Sequence, residues 1–202
     1  MRTAYALLAL LWLFVLGAGV YAFEHGFTRT EDTGQITSSS ISNMATPTLR
    51  LTSSAFENGG MIPARFTCDE DRTINPALSI TGVPEAAKSL ALIMDDPDVP
   101  KALKPAGVFD HWVLFNILPT TNGIPEGGSA GVAGANGAGQ NTYTGPCPPA
   151  QYEPSEHRYF FKLYALDATL PLSAGASKAD VEKAMQGHII AQTELMGRYK
   201  RR

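Results

Sequence analysis

Basic charge is scarce in this sequence. Its 16 lysines and arginines stand against 19 aspartates and glutamates, a formal net charge of −3 over 202 residues. No global positive field therefore recruits nucleic acid. Cysteine is scarcer still, with only Cys68 and Cys147. Two cysteines without a C-x-x-C pair are too few for a structural zinc centre. No G-x-S-x-G elbow marks a nucleophilic serine, and no H-E-x-x-H helix marks a zinc hydrolase. The chain also has no internal repeat. What it does have is aromatic and aliphatic content at globular levels, enough for one domain with a core of its own.

The longest apolar run comes first. Residues 4 to 23, AYALLALLWLFVLGAGVYAF, carry no charge, and twenty positions suffice to cross a ~30 Å hydrocarbon core as a helix. Arg2 and the amino terminus precede the run and Glu24 follows it, which predicts a single-pass anchor with its N-terminus inside. A cleaved signal ending in Val20-Tyr21-Ala22 is the alternative, giving a secreted or periplasmic product. Both place the remainder outside the cytoplasm. Residues 24–48 are rich in serine and threonine, lack apolar periodicity, and read as a linker with its boundary near Pro47. Residues 49–202 are the domain. In an oxidising compartment the two cysteines have one intramolecular pairing open to them, so a Cys68–Cys147 bridge is expected. A pair of buried free thiols is the other possibility.

The domain reads as mainly β. TLRLTSSAF alternates at period two, and SLALIM, HWVLFNIL and RYFFKLYAL are short aromatic and aliphatic runs bounded by turn residues. SKADVEKAMQGHIIAQTELMG predicts a peripheral C-terminal helix. Ser177 and Asp180 form its start signal, and Val181, Ala184, Met185, His188, Ile189, Gln192 and Leu195 form one stripe. On that stripe His188 is a core or interface residue.

Three polar residues fall at strand ends. Asp96 closes SLALIMDD, His111 opens HWVLFNIL, and His157 opens HRYFFKLYAL. If the first strand is antiparallel to the other two, all three meet at one edge of the sheet. Alternation places His157 and Tyr159 on one face, and His111, Val113 and Phe115 on another. The stretch 121–156 joins the last two strands as a long Gly-rich connection without secondary structure, ending in GPCPPAQYEPSEH.

DPDVP, DHWVLFNI and GPCPPAQYEPSEHRYFFKLYALD resemble the two signature regions of the phosphatidylethanolamine-binding protein family. They are closest to its bacterial Raf-kinase-inhibitor-like, YbhB/YbcL-like branch. NPALSITGVPEAAKSLALIMDDPD and the last segment fit as well, so the likeness spans about 49–199. It implies a β-sandwich-like fold with a small anion pocket. Carried over by motif, the ligand-binding residues are Asp96, His111, Gly145, His157 and Tyr159. The implied ligand is a small anion or a phospholipid headgroup, with no cofactor and no metal. The histidines and Tyr159 supply hydrogen bonds to an oxyanion, and Asp96 fixes an imidazole tautomer. No catalytic residue is assigned. An inhibitor of an extracytoplasmic enzyme, and a His/Asp-based hydrolase or metal enzyme, remain as alternatives.

Overall fold

A computed structural model describes residues 48–202. The predicted anchor or signal at 4–23, and all but the last residue of the 24–48 linker, lie outside the described residues. Among the described residues no helix is long and apolar enough to cross a membrane.

Strands β1 (Arg50–Ser53), β2 (Leu78–Thr81) and β5 (Gly123–Ile124) form a small sheet in the order β1-β2-β5. Strands β3 (Ser89–Asp96), β4 (Phe109–Ile117), β6 (Val132–Ala133), β7 (Glu156–Leu166) and β8 (Ile189–Lys200) form a larger one in the order β6-β4-β3-β7-β8. Every pairing is antiparallel. The premise that β3 runs against both β4 and β7 therefore holds.

Strand β3 reads as a continuous apolar run because it is buried at every position. Leu90, Leu92 and Met94 point into a core shared with the small sheet, where Leu51, Ile80 and Phe66 also lie. Ala91 and Ile93 point the other way, into a second cluster that includes Val181 and Met185 of helix α1 (Lys178–Met185). The connection 121–156 is not bare of secondary structure, since it contributes both β5 and β6.

The C-terminal helix is shorter than its pattern suggests. Ser177 and Asp180 do form the reciprocal capping box. The helix then ends at Met185, and Gly187 takes φ +80°, a left-handed conformation that stops helices. From Ile189 the chain is strand β8, paired along β7 from Ile189↔Leu166 to Lys200↔Glu156. The apolar spacing through Leu195 fits both periods. Leu195, Gly197 and Tyr199 alternate inward while Glu194, Arg198 and Lys200 stay outside the core. His188 sits exposed in the turn, with Nδ1 2.8 Å from Asp167, rather than in the core.

Candidate functional site

The three acids of DDPD each have a separate partner. Asp95 faces the helix side of the sheet, where its carboxylate accepts from Lys162 and Lys178. Asp96 faces the opposite side. Its Oδ1 accepts from the Asp98 backbone N–H at 2.8 Å, which folds the chain back just after β3. Asp98 is clamped on Arg158 through the backbone N–H at 2.9 Å and the guanidinium at 2.7 and 2.9 Å. Those hydrogen bonds hold the Asp98 carboxyl below the usual carboxylate range.

His111 reaches the site through a bulge. The β3–β4 register runs Met94↔Trp112 and then Asp95↔Asp110, so His111 is an extra residue on β4. Such a bulge re-aims a side chain. Simple alternation groups His111 with Val113 and Phe115, but those two pack in the helix-side cluster while His111 shares a cavity with Asp96. Its ring is packed edge-on by Phe109 and Tyr159, with centroids 4.8 and 5.2 Å away. Nδ1 lies 2.5 Å from the Thr144 carbonyl oxygen, and Nε2 lies 4.0 Å from Asp96 Oδ2. Burial pushes the His111 pKa down, against the Thr144 carbonyl and the nearby aspartates, so the ring is neutral near pH 7.

His157 is the counterpart from β7. Its Nδ1 donates to Asp96 Oδ2 at 2.7 Å. Burial opposes its charge, but the Asp96 hydrogen bond and charge outweigh this, with help from Asp98 and the Pro154 carbonyl, and the pKa rises. Its Nε2 is buried without a hydrogen-bond partner. The two histidines are therefore pushed in opposite directions by their surroundings.

The remaining wall comes from the Gly-rich connection. Thr144 N–H donates to the His111 carbonyl at 2.9 Å, and Gly145 N–H to the Arg72 carbonyl at 2.7 Å. Cys68 and Cys147 are joined, with Cα atoms 5.3 Å apart, so the early loop is tied to this wall. The resulting cavity is about 260 Å³ and is lined by Arg72, Asp96, Val99, Phe109, His111, Thr144, Gly145, Cys147, Pro148, Pro149 and His157.

Four of the five sequence-predicted residues thus line one cavity: Asp96, His111, Gly145 and His157. Tyr159 shares the face of His157 but lies one step deeper, behind the His111 ring, fully buried. Burial and the Asp96 charge raise its hydroxyl pKa, and that hydroxyl makes no well-formed hydrogen bond. Sequence reasoning missed Arg72, an exposed residue that lines the cavity. Only the expected Cys68–Cys147 bridge hinted that the CDEDR turn belongs near GPCPP. Among the described residues, no group of three or more His, Cys, Asp and Glu side chains is arranged to hold a metal ion.

The family model for phosphatidylethanolamine-binding protein matches residues 52–200. The chain belongs to the phosphatidylethanolamine-binding protein family. Within that family it is similar to a UPF0098 protein of Methanothermobacter thermautotrophicus, 48% identical over 160 residues, covering 76% of this chain and 99% of the relative. A UPF0098 protein of Chlamydia muridarum is 43% identical over 153 residues, covering 75% and 99%. Among solved structures, a phosphatidylethanolamine-binding protein homologue from Chlamydia trachomatis superposes with a TM-score of 0.72 at 42% identity, covering 77% of this chain and 99% of that one. Escherichia coli YbcL gives 0.67 at 27% identity, covering 76% and 99%. The bacterial branch suggested by DPDVP and GPCPPAQYEPSEHRY is thereby supported.

Proposed function

We propose that this family member binds a small oxyanion in the Asp96–His111–His157 cavity, without transforming it. The carrying observation is the buried His157–Asp96 pair. Asp96 favours the charged ring, and the second nitrogen remains an unpaired donor in the cavity wall. Arg72 adds a cation on the same wall. Phosphate or a phosphate-bearing headgroup has the size and charge for such a site. The apolar stretch 4–23 attaches the domain to a membrane with the pocket on the extracytoplasmic side.

Phosphate titration of the full-length chain, followed through the imidazole resonances of His111 and His157, tests the binding. Both should shift at saturation, and His157→Ala should weaken binding by about 1.5–3 kcal/mol. Unmoved resonances would remove the reading. Alkaline carbonate extraction tests the attachment. The chain should stay with the membrane pellet, and release of a product beginning near Phe23 would indicate cleavage instead.

A further inference from the structure

Strand β8 ends the larger sheet, and part of its outer edge has no neighbour among the described residues. At the opposite end of that sheet β6 is closed by the segment 175–177. Gly175 N–H donates to the Ala133 carbonyl and Ala135 N–H to the Ala176 carbonyl, both at 2.9 Å. The C-terminal half of β8 is closed by the turn at 58–62. Gly59 N–H donates to the Met196 carbonyl at 2.7 Å, Arg198 N–H donates to the Gly60 carbonyl at 2.8 Å, and the Arg198 carbonyl accepts from Ile62 N–H at 2.8 Å. The backbone groups of Met196 and Arg198 therefore point away from β7. Alternation along an antiparallel ladder gives Gln192 and Glu194 the same direction. Towards the start of β8 the register shifts at Ala165/Leu166, which makes Ile190 an extra, bulged residue. The free stretch thus runs 191–195 and holds two outward-facing residues, Gln192 and Glu194. Proline and lysine are the usual residues that blunt such an edge. Residues 189–195, IIAQTEL, contain neither, and Ile189 and Ile190 are 42% and 41% exposed beside the free stretch.

We propose that this edge joins a second copy of the chain, β8 against β8, in an antiparallel two-fold pairing centred on Thr193. The free stretch is its own complement, as a two-fold interface requires. Centring on Thr193 opposes Gln192 to the partner's Glu194 and Glu194 to the partner's Gln192, and each pair exchanges two backbone hydrogen bonds. An amide then faces a carboxylate on either side of the axis, and no like charges meet. Thr193 meets the partner's Thr193 as a close, non-hydrogen-bonded pair. Moving the axis to Gln192 brings the bulged Ile190 into the ladder. Moving it to Glu194 sets two carboxylates against each other and needs Met196, whose outer edge is already taken. The pairing leaves the cavity of each copy open, because His157 stands beside Tyr199 at the far end of β8. The sheet becomes continuous across both copies.

Sedimentation of the full-length chain in non-ionic detergent, over a range of protein concentrations, should show a dimer. Gln192→Pro removes an N–H that faces the partner and not β7, a place where an edge strand tolerates proline. It should raise the dissociation constant by about tenfold or more while the circular dichroism of the monomer is kept. Gln192→Glu sets a carboxylate against the partner's Glu194 and should also weaken the dimer, and adding Glu194→Lys should restore it. Thr193→Cys should form a disulfide between copies on oxidation, since Cα atoms of a close pair are about 4.5 Å apart. Ala191→Cys, opposite the partner's Leu195, should not. If Gln192→Pro fails to fold, the charge and cysteine variants decide. Amide exchange at Gln192 and Glu194 should slow as concentration rises. A monomer at every concentration would overturn the proposal. So would a dimer that Gln192→Glu leaves unchanged and Thr193→Cys does not cross-link, which would place the contact elsewhere in the chain. Amides protected equally at every concentration would show that the chain covers its own edge, and would overturn it as well.

Discussion

Asp95 and Asp96 are consecutive on β3 and serve opposite faces of the sheet. Asp96 Oδ2 holds His157 in the cavity at 2.7 Å, while Asp95 Oδ2 accepts from Lys162 and Lys178 at 2.8 and 2.9 Å beside α1. The period of two along a strand makes this division unavoidable. One end of one strand therefore anchors the helix on one side and orients the site on the other.

Asp95→Ala should destabilise the fold without emptying the pocket. Asp95 is 2% exposed, and the Lys178 side chain is 16% exposed. Removing the carboxylate leaves Lys178 with Asp110 at 3.4 Å and Glu182 at 3.7 Å. Breaking a buried pair in this way costs about 3 kcal/mol, and the more exposed Lys162 adds little. Urea unfolding should register the loss, while phosphate affinity changes by less than about twofold. An unchanged unfolding midpoint would show that the cluster is not structural.

The two histidines should give stability opposite pH dependences. His157 has a folded pKa above its unfolded value of about 6.5. Its contribution is complete below that pH and is lost as pH rises through the folded value. The depressed pKa of His111 works the other way. Its contribution is present above about 6.5 and is lost as pH falls through the folded value. The stability gap between the wild type and His157→Gln should therefore shrink as pH climbs past neutrality. A gap that stays constant across that window would mean that His157 is neutral in the fold.

Central strands were the most legible part of the sequence. β3, β4 and β7 are apolar runs with turn residues at their ends, and polar residues at those ends stood out. The bulge at His111 was invisible, because alternation alone assigns that residue to the wrong face of β4. β8 was misread because Val181, Met185 and Leu195 satisfy a helical stripe. The deciding feature was Gly187, whose left-handed conformation breaks the stripe between Met185 and Ile189. Tyr159 was placed on the correct face, but depth along a strand is not written in its period. Arg72 could not be found locally, since it joins the site only through partners such as Gly145, 73 positions later by the difference of their numbers (145 − 72).

Gly145→Ala should distort the wall that holds His111. A Cβ there would meet the Phe66 carbonyl oxygen at 2.2 Å and the Arg72 Cα at 3.1 Å, both backbone atoms that cannot swing aside. Relief requires the 143–146 segment to move away from the early loop, and the Thr144 carbonyl moves with it. The fold should lose about 1–3 kcal/mol, and phosphate binding should weaken in parallel. Wild-type stability with wild-type affinity would show that the contact relaxes freely.

Reduction of the Cys68–Cys147 bridge should loosen the pocket as well as the fold. The bond spans 79 residues, for which loop-closure entropy gives about 4.5 kcal/mol. For a domain of this size that corresponds to a melting temperature lower by on the order of 10 °C. The pocket is affected because Cys147 lies in the cavity wall between Gly145 and the Pro148–Pro149 pair. Once the bond opens, the wall is tied to the early loop by two backbone hydrogen bonds, Cys68 N–H to the Pro146 carbonyl at 3.0 Å and Gly145 N–H to the Arg72 carbonyl at 2.7 Å, and by the Tyr143 hydroxyl donating to the Phe66 carbonyl at 3.0 Å. These keep the loop near its place but no longer fix it, so Arg72 and the Thr144 carbonyl become less well positioned. Cys68→Ser and Cys147→Ser should each reproduce both effects, and the double variant should add nothing further, because either change removes the same bond. Thiol titration of the unreduced chain should find no free thiol. Two titratable thiols there would rule out the bridge as part of the native protein.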